Sequence, residues 1–168
     1  MKKTSSKSGT TAAKKSCVQA TIEKIVGRIL KGTTADSSLA QLQEGDTDFY
    51  PVAAYGGDFP PPMAPKIAFR AGQKGVSGTI VARFEPRLIM DYPLEYADSP
   101  FLPYAAKIGV RSMAAAPLGA KGKCTGVIYL ISHQPNWFTR ADLDRLIGQA
   151  AVATVAFENA ALVDKLRG

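Results

Sequence analysis

The stretch that decides the fold is residues 108–132, which read IGVRSMAAAPLGAKGKCTGVIYLIS. It contains two runs, Gly109–Leu118 and Gly126–Ser132, in which apolar residues occupy consecutive rather than alternate positions. A strand with one face in water would carry a polar residue at every second position, so both faces of this sheet are predicted to be covered. Between the runs, residues 119–123 supply glycines and lysines that suit a tight, solvated hairpin turn. The stretch therefore predicts an antiparallel pair of central strands.

The middle of the first run, Ala114–Ala116, consists of small side chains. Small side chains in a buried strand leave volume beside the strand, and a close-packed interior must fill it. Either a closely approaching helix or a bound group that is not protein would do so. At any single position the helix is the simpler interpretation, and both stay open.

Size and composition indicate one globular domain, because the chain has 168 residues with 46% hydrophobic and 21% charged. The net charge of +7 would suit a nucleic-acid partner, but five lysines that precede the first acidic residue, Glu23, account for most of it. They lie in a stretch rich in Ser, Thr, Lys and Gly. We therefore predict a disordered basic tail at residues 1–16 and a single domain at residues 17–168. A solvated tail is favoured over contact with an anionic partner, so nucleic-acid binding is not expected as the main function.

Signals for a membrane or for secretion are absent from the sequence. No apolar run approaches the roughly 20 residues of a membrane-spanning helix, and no apolar segment follows the N-terminal lysines. A cytoplasmic protein without a membrane segment is expected. Cys17 and Cys124 are far apart, and neither has a second Cys or a His at metal-ligand spacing. We expect free thiols and no metal site.

Two amphipathic helices are predicted at the two ends of the domain. In residues 18–30 apolar side chains recur at helical spacing, and Gly32 follows as a stop signal. The other helix begins after Thr139, which forms a pattern resembling a capping box with Asp142. From Leu143 onward this helix is apolar on two sides, so it is expected to touch two surfaces, the sheet and a partner subunit.

Shorter elements are predicted between these helices. They are strands at residues 37–43, 49–55 and 88–90 and a glycine-opened helix within residues 72–84. The glycines and prolines of residues 56–65 predict an extended loop. The glycine-opened helix lacks the lysine and hydroxyl of a phosphate-binding loop, so close backbone packing explains its glycines better. Residues 91–107 mix aromatic and acidic side chains with prolines, which is typical of a lid across one sheet face.

With these elements in this order, the chain resembles the GAF domains, small ligand-sensing modules of signalling proteins. The resemblance rests on the order and spacing of six segments: Thr21–Leu30, Gly75–Gly78, Ile108–Ser112 leading to Pro117–Leu118, Gly126–Leu130, Trp137–Thr139 with Asp142–Leu143, and Ala156–Ala160.

The resemblance implies an α+β fold with a central antiparallel sheet of the GAF and PAS type. It places the terminal helices on one face, the short helix and the lid on the other, and a ligand pocket between the sheet and that second layer. It also implies a homodimer through the first and last helices. Such a domain is expected to be part of, or partner to, a bacterial two-component sensor histidine kinase.

The GAF subfamilies with known chemistry match less well. The Asn-Lys and Phe-Asp-Glu signature of members that bind cyclic nucleotides is absent. Cys17 and Cys124 are not placed as in the members that bind bilins or reduce free methionine sulfoxide. The only histidine, His133, follows a strand end rather than offering an axial haem ligand. The cofactor is therefore unknown, with no haem, bilin or metal signature.

The leading hypothesis is a sensor that binds a small organic ligand without chemistry and shifts its terminal helices in response. The candidate ligand-binding residues combine apolar bodies with hydroxyl or cationic groups. They are Ile80, Phe84, Tyr92, Tyr96, Phe101, Tyr104, Arg111, Ser112, Met113 and Tyr129. A second hypothesis is an enzyme, although the sequence shows no recognisable motif that pairs a nucleophile with a base, and no catalytic residue is predicted. A third is a ligand-free dimerisation module whose pocket is filled by Phe84, Tyr96, Phe101 and Tyr104.

Overall fold

A computed structural model describes residues 15–45, 47–56 and 69–168 of the chain. Five helices occur in these residues: α1 Cys17–Lys31, α2 Val76–Arg83, α3 Tyr92–Glu95, α4 Leu102–Lys107 and α5 Arg140–Arg167. Six strands accompany them: β1 Ser37–Glu44, β2 Asp48–Tyr55, β3 Phe69–Arg70, β4 Arg87–Ile89, β5 Ser112–Ala120 and β6 Lys123–Ser132. The predicted helices and strands lie close to their predicted positions, whereas the two-residue strand β3 was not predicted. The predicted tail up to residue 14 and the proline-rich loop beyond residue 56 lie outside the described residues.

The strands form one sheet in the order β3-β2-β1-β6-β5-β4, and every neighbouring pair is antiparallel. The two strands of the deciding stretch, β5 and β6, are neighbours near its centre, joined by Lys121 and Gly122. Gly122 has a φ of 81°, in the left-handed region that favours glycine in tight turns. The predicted antiparallel pair is therefore confirmed.

Helices α1 and α5 cover one face of the sheet. Ile22 and Val26 of α1 and Leu146 of α5 are fully buried against it. Ala114 and Ala116 of β5 face these helices with no exposed surface. The space beside those two alanines is thus filled by helix packing.

Helices α2, α3 and α4 lie on the other face of the sheet, where α3 and α4 belong to the predicted lid, residues 91–107. Ile80 of α2 and Tyr92 of α3 are buried there with side chains from the sheet. The observed fold is α+β, with the terminal helices on one face and the short helix and lid on the other, as predicted.

Helix α5 starts at a complete capping box. The Thr139 hydroxyl accepts from the Asp142 backbone N–H, and the Asp142 carboxylate accepts from the Thr139 N–H at 2.7 Å. By length and composition alone, α5 is the one helix in the described residues that is able to cross a membrane. This is weak evidence, since core helices of soluble proteins pass the same test and one side of α5 is buried on the sheet. The expected lack of a membrane segment stays a prediction.

Candidate ligand-binding cavity

A cavity of about 90 Å³ lies between the sheet and the layer of α2, α3 and α4. Its lining residues come from four strands, from three helices and from the chain on either side of α4. They are Leu39, Gln41, Pro51, Val76, Ser77, Tyr92, Phe101, Tyr104, Ala105, Ile108, Val110, Met113, Tyr129 and Ile131. Most of these side chains are buried, and the partly exposed ones, such as Pro51 and Phe101, mark the side that opens to solvent.

Three polar side chains on the cavity wall form a directed chain of hydrogen bonds. The Ser77 hydroxyl donates to Gln41 Oε1 at 2.9 Å and also bonds the Tyr129 hydroxyl. Because a serine has one hydroxyl hydrogen, Tyr129 is the donor in the second bond. Burial raises the pKa of Tyr129 well above its ordinary value, although the bond to Ser77 opposes this, so the phenol stays protonated at neutral pH. The chain links β6, α2 and β1 across the cavity.

Ser99 organises the lid. The Tyr92 hydroxyl donates to Ser99 Oγ at 2.9 Å, and the backbone N–H of Phe101 donates to the same oxygen at 3.2 Å. Tyr92 also stacks on Tyr96, with ring centroids 5.4 Å apart. Two cavity-lining aromatic residues, Tyr92 and Phe101, are thus held through one buried serine.

Tyr104 differs from the other hydroxyl groups of the cavity. Its hydroxyl is buried and has no hydrogen-bond partner among the described residues. Burial raises the pKa of Tyr104, so this hydroxyl is also neutral. A buried hydroxyl without a partner costs about 1–3 kcal/mol.

The start of the lid is fixed by groups outside the cavity. The Arg111 guanidinium pairs with Asp91, with Nη2 and Oδ2 2.9 Å apart. Glu95 accepts from the backbone N–H groups of Met90 and Asp91 at 2.7 and 3.0 Å. These contacts hold the chain where it leaves β4 and enters α3.

The structure brings half of the sequence-predicted site residues together at the cavity. Those that line it are Tyr92, Phe101, Tyr104, Met113 and Tyr129. Of the others, Ile80 is fully buried in the core of the same layer, and Tyr96 packs behind Tyr92. Arg111 is committed to Asp91, and Ser112 donates to the Gln134 carbonyl at 2.7 Å. These four residues do not line the cavity.

Phe84 lies at the far end of α2 from Ser77. The helix ends at Arg83, and Phe84 has a φ of 52°, so the predicted helical spacing does not reach it. It lines a separate open cleft of about 740 Å³ that also contains the thiol-bearing Cys124. Phe84 was predicted to lie in one pocket with the lid aromatic residues, but the structure places it in this separate cleft.

Gln41 and Ser77 are polar cavity residues that the sequence reasoning missed. Gln41 is a polar residue inside a buried strand and shares a strand face with Leu39, which the two-residue period of a strand would have indicated. Ser77 stands three residues before Ile80 on one helix, so helical spacing also placed it towards the sheet. Gly78 confirms the close-packing interpretation, because a Cβ there would lie 2.1 Å from the Gln73 carbonyl oxygen.

The fold and the cavity define an α+β class of domain: an antiparallel sheet lies between a pair of terminal helices and a layer of short helices, with a cavity beneath that second layer. The model of the GAF domain family matches residues 18–158. The chain therefore belongs to the GAF domain family. No curated protein sequence matches the chain.

Solved structures of other proteins superpose on most of the chain. The GAF domain of a phosphoenolpyruvate-protein phosphotransferase from Coxiella burnetii superposes with a TM-score of 0.73 at 17% identity, covering 89% of this chain and 87% of that one. The GAF-B domain of DevS from Mycobacterium smegmatis gives 0.68 at 18% identity, covering 89% and 98%. A free methionine-R-sulfoxide reductase from Neisseria meningitidis, in complex with its substrate, gives 0.71 at 18% identity, covering 87% and 81%. At these identities the likeness shows the fold alone.

Proposed function

We propose that this GAF domain senses a small organic molecule bound in the cavity and transmits its presence through the terminal helices. The observation that carries the proposal is the cavity of about 90 Å³ between the sheet and the second layer, whose wall is mostly apolar with a few hydroxyl and amide groups. Ligand pockets are mostly apolar concave sites with a few placed polar groups, and this wall has that character. The candidate ligand-binding residues are the five predicted residues that line the cavity, together with Gln41 and Ser77.

Native mass spectrometry of the full chain tests this function directly. A mass that is present under gentle conditions and lost on denaturation is the expected result, together with a rise in melting temperature when the released compound is added back. Ala105→Leu fills the cavity, whereas Ala106→Leu changes the exposed neighbour on the same helix. Only the first variant is expected to purify without the compound. A ligand-free wild type with no thermal shift across a metabolite panel would favour the dimerisation module instead.

We propose that the domain acts without catalysis, in the cytoplasm. Neither cysteine lines the cavity: Cys17 lies on α1 in the opposite layer, and Cys124 lines the open cleft. Burial raises the pKa of Cys124, which disfavours the reactive thiolate. Incubating the protein with free methionine sulfoxide and a dithiol, with loss of the sulfoxide as readout, tests for the reductase alternative.

The output proposed for the domain is control of a bacterial two-component sensor histidine kinase, in the same polypeptide or as a partner. Support comes from α1 and α5, which are antiparallel neighbours: the Asp164 carboxylate near the end of α5 accepts from the N–H groups that start α1. Because these hydrogen bonds connect α1 to α5, a ligand-induced shift of the sheet would move both helices. Hydrogen exchange with and without ligand is expected to differ in α5, and co-purified proteins are expected to include one that autophosphorylates on histidine.

We also propose a homodimer through the terminal helices. Four large apolar residues of α5 are exposed: Val152 is 72% exposed, Val155 57%, Leu162 58% and Leu166 88%. With position 159 included, their spacings alternate between three and four residues, as in an a/d seam. Asn159, also exposed, occupies the remaining seam position. A single Asn at such a position favours a parallel, in-register pair.

Sedimentation equilibrium of the full chain tests the dimer. Val155→Lys places a charge in the seam and is expected to shift the protein to monomer, whereas Ala106→Lys, an exposed site on the other layer, is expected to leave the dimer intact. A wild type that stays monomeric at the highest soluble concentration would contradict this proposal.

A further inference from the structure

A second concave site lies where the β1–β2 and β5–β6 hairpins turn and α2 ends, and we call it the hairpin-end cleft. It is the open cleft that Phe84 lines, and its volume is about 740 Å³. Small-molecule sites typically measure about 300–1,000 Å³, so this cleft has room for a ligand. It shares no lining residue with the cavity beneath the lid, and the function proposed above makes no use of it.

The charged residues that line this cleft are all cationic. They are Arg70, Arg83, Lys121 and Lys123, and none of the described lining residues is Asp or Glu. Arg70 is already paired with Asp48, whose Oδ1 lies 2.7 Å from Nε. The other three cations form no ion pair within the part of the chain that the structure describes. Because like charges in one cleft repel one another, an anion bound between them would lower the electrostatic energy.

The two lysines have no role in the fold that would account for their charge. Arg83 stands in the last turn of α2, where a cation also offsets the partial negative charge of the helix end. Lys121 and Lys123 come instead from the turn between β5 and β6, and both are exposed. The acidic residues next to lining residues in the chain, Glu44 and Glu85, do not line the cleft. The lysines are therefore available to an anion from solution.

Phe84 gives the cleft an apolar side. It follows the last residue of α2 with a φ of 52°, in the left-handed conformation where glycine is usual and a bulky residue is rare. A glycine would satisfy this backbone but would leave the cleft without the phenyl ring. Phe49 and Val81 line the cleft as well. The site thus offers apolar surface beside a group of cations.

We propose that the hairpin-end cleft binds a small organic phosphate, with its phosphate group among Arg83, Lys121 and Lys123 and its apolar body against Phe84. Lysine and arginine are the side chains that proteins use to bind phosphate. A phosphate monoester carries about two negative charges near neutral pH, which suits three unpaired cations better than a single carboxylate does. This binding site goes beyond the sensor function proposed above and does not depend on it.

The test uses four probes on the full chain at constant ionic strength: phenyl phosphate, inorganic phosphate, benzoate and benzyl alcohol. NMR titration followed at the backbone amides of Phe84 and Lys121–Lys123 gives each Kd. We expect phenyl phosphate to bind at least fivefold more tightly than any other probe, and its Kd to rise with added NaCl because the cations are exposed. The double variant Lys121→Gln with Lys123→Gln is expected to weaken both phosphates about tenfold. Phe84→Gly suits the left-handed backbone and is expected to weaken phenyl phosphate about fivefold while leaving inorganic phosphate unchanged.

Lys24→Gln is the matched control, because Lys24 is an exposed lysine on α1, on the other face of the sheet. Its effect on every Kd is expected to be negligible, and weakening as large as in the double variant would overturn the cleft as the site. Cleft amides that stay unmoved up to the solubility limit of phenyl phosphate would do the same. Should Phe84→Gly fail to fold, Phe84→Asn replaces it, since asparagine also tolerates this conformation.

The other probes separate the class of ligand from the existence of the site. Benzoate that binds as tightly as phenyl phosphate would overturn the phosphate, and inorganic phosphate that does so would overturn the role of Phe84. A single-stranded oligothymidylate that shifts the cleft amides at lower concentration than phenyl phosphate would identify a nucleic-acid surface and overturn the small-molecule ligand. Ala105→Leu fills the separate cavity and is expected to leave phenyl phosphate binding unchanged, so the sensor function and the phosphate site fail independently.

Discussion

The two faces of the sheet are filled by different chemistry. On the α1 and α5 face, Ile22, Leu146 and Ala153 have no exposed surface and pack against alanines of β5. On the other face, hydroxyl groups of Tyr129, Ser99 and their partners take up part of the interior, and a cavity remains. Apolar packing is non-directional, so apolar side chains fill the available space. Hydrogen-bonded side chains must instead keep the distances and angles of their bonds.

This difference separates stability from recognition within one small domain. We call the face covered by α1 and α5 the helical face and the face covered by α2, α3 and α4 the lid face. The helical face supplies most of the close packing that stabilises the fold, because dispersion and apolar burial are strongest where the interior is completely filled. The lid face is less completely packed, and it holds hydrogen-bonded polar groups around a cavity. Substitutions on the helical face should therefore mainly lower stability, whereas substitutions on the lid face should mainly disturb the cavity.

The largest effect is expected from Leu146→Ala on the helical face. Leu146 is fully buried, so removing its side chain leaves a void and is expected to lower the free energy of unfolding by about 2–5 kcal/mol. Urea denaturation followed by circular dichroism measures this. Leu94→Ala, at an exposed leucine outside the proposed dimer seam, is the control; a similar loss in both variants would contradict the comparison.

A smaller effect is expected from Ser99→Ala on the lid face. Ser99 accepts bonds from the Tyr92 hydroxyl and the Phe101 N–H, and both donors would lose their partner in a buried place. The expected cost is about 1–3 kcal/mol, with the lid amides losing more hydrogen-exchange protection than the amides of α5. Uniform loss of protection across the two faces would argue against a lid organised by Ser99.

Two tyrosines of the lid face are expected to respond in opposite directions when the hydroxyl is removed. Tyr92→Phe breaks a hydrogen bond to Ser99 and is expected to cost about 1 kcal/mol. Tyr104→Phe removes an unpartnered buried hydroxyl and is expected to leave the ligand-free protein equally or more stable. Melting temperatures of the ligand-free variants decide this, and a loss in Tyr104→Phe as large as in Tyr92→Phe would contradict the cavity geometry.

The smallest effect concerns pH and the helical face. The Asp164 carboxylate accepts from the N–H groups of Cys17 and Val18 at 2.8 and 3.0 Å, and these bonds lower the pKa of Asp164 in the folded state. A lowered folded-state pKa stabilises the protein above the pKa of the unfolded chain, and this stabilisation is lost as pH falls through the folded-state pKa. With Asp164→Asn, the free energy of unfolding should therefore fall less steeply as the pH is lowered through the acidic range. Asp144→Asn, which removes an exposed carboxylate from the same helix, is the control.

Elements with strong local patterns were predictable. Helix α1 and the β5–β6 hairpin follow from periodicity and turn residues, and the α5 capping box lies within four consecutive residues. The site was predictable only in part. Tyr104 and Met113 line the cavity as predicted, whereas Phe84 does not because α2 ends one residue earlier in a left-handed conformation. That ending is instead marked by Pro86, two residues further on, a signal that apolar periodicity alone does not contain.

The sequence by itself determined that this chain has a covered antiparallel sheet, long helices at its ends and a GAF-like order of elements, because spacing and turn chemistry act over a few neighbouring residues. Only the tertiary structure decided what each side chain meets. It assigned the space beside Ala114 and Ala116 to helices, paired Arg111 with Asp91, and joined Gln41, Ser77 and Tyr129 across three elements. Such contacts join residues far apart in the chain, so their partners are set by packing and hydrogen bonding in three dimensions.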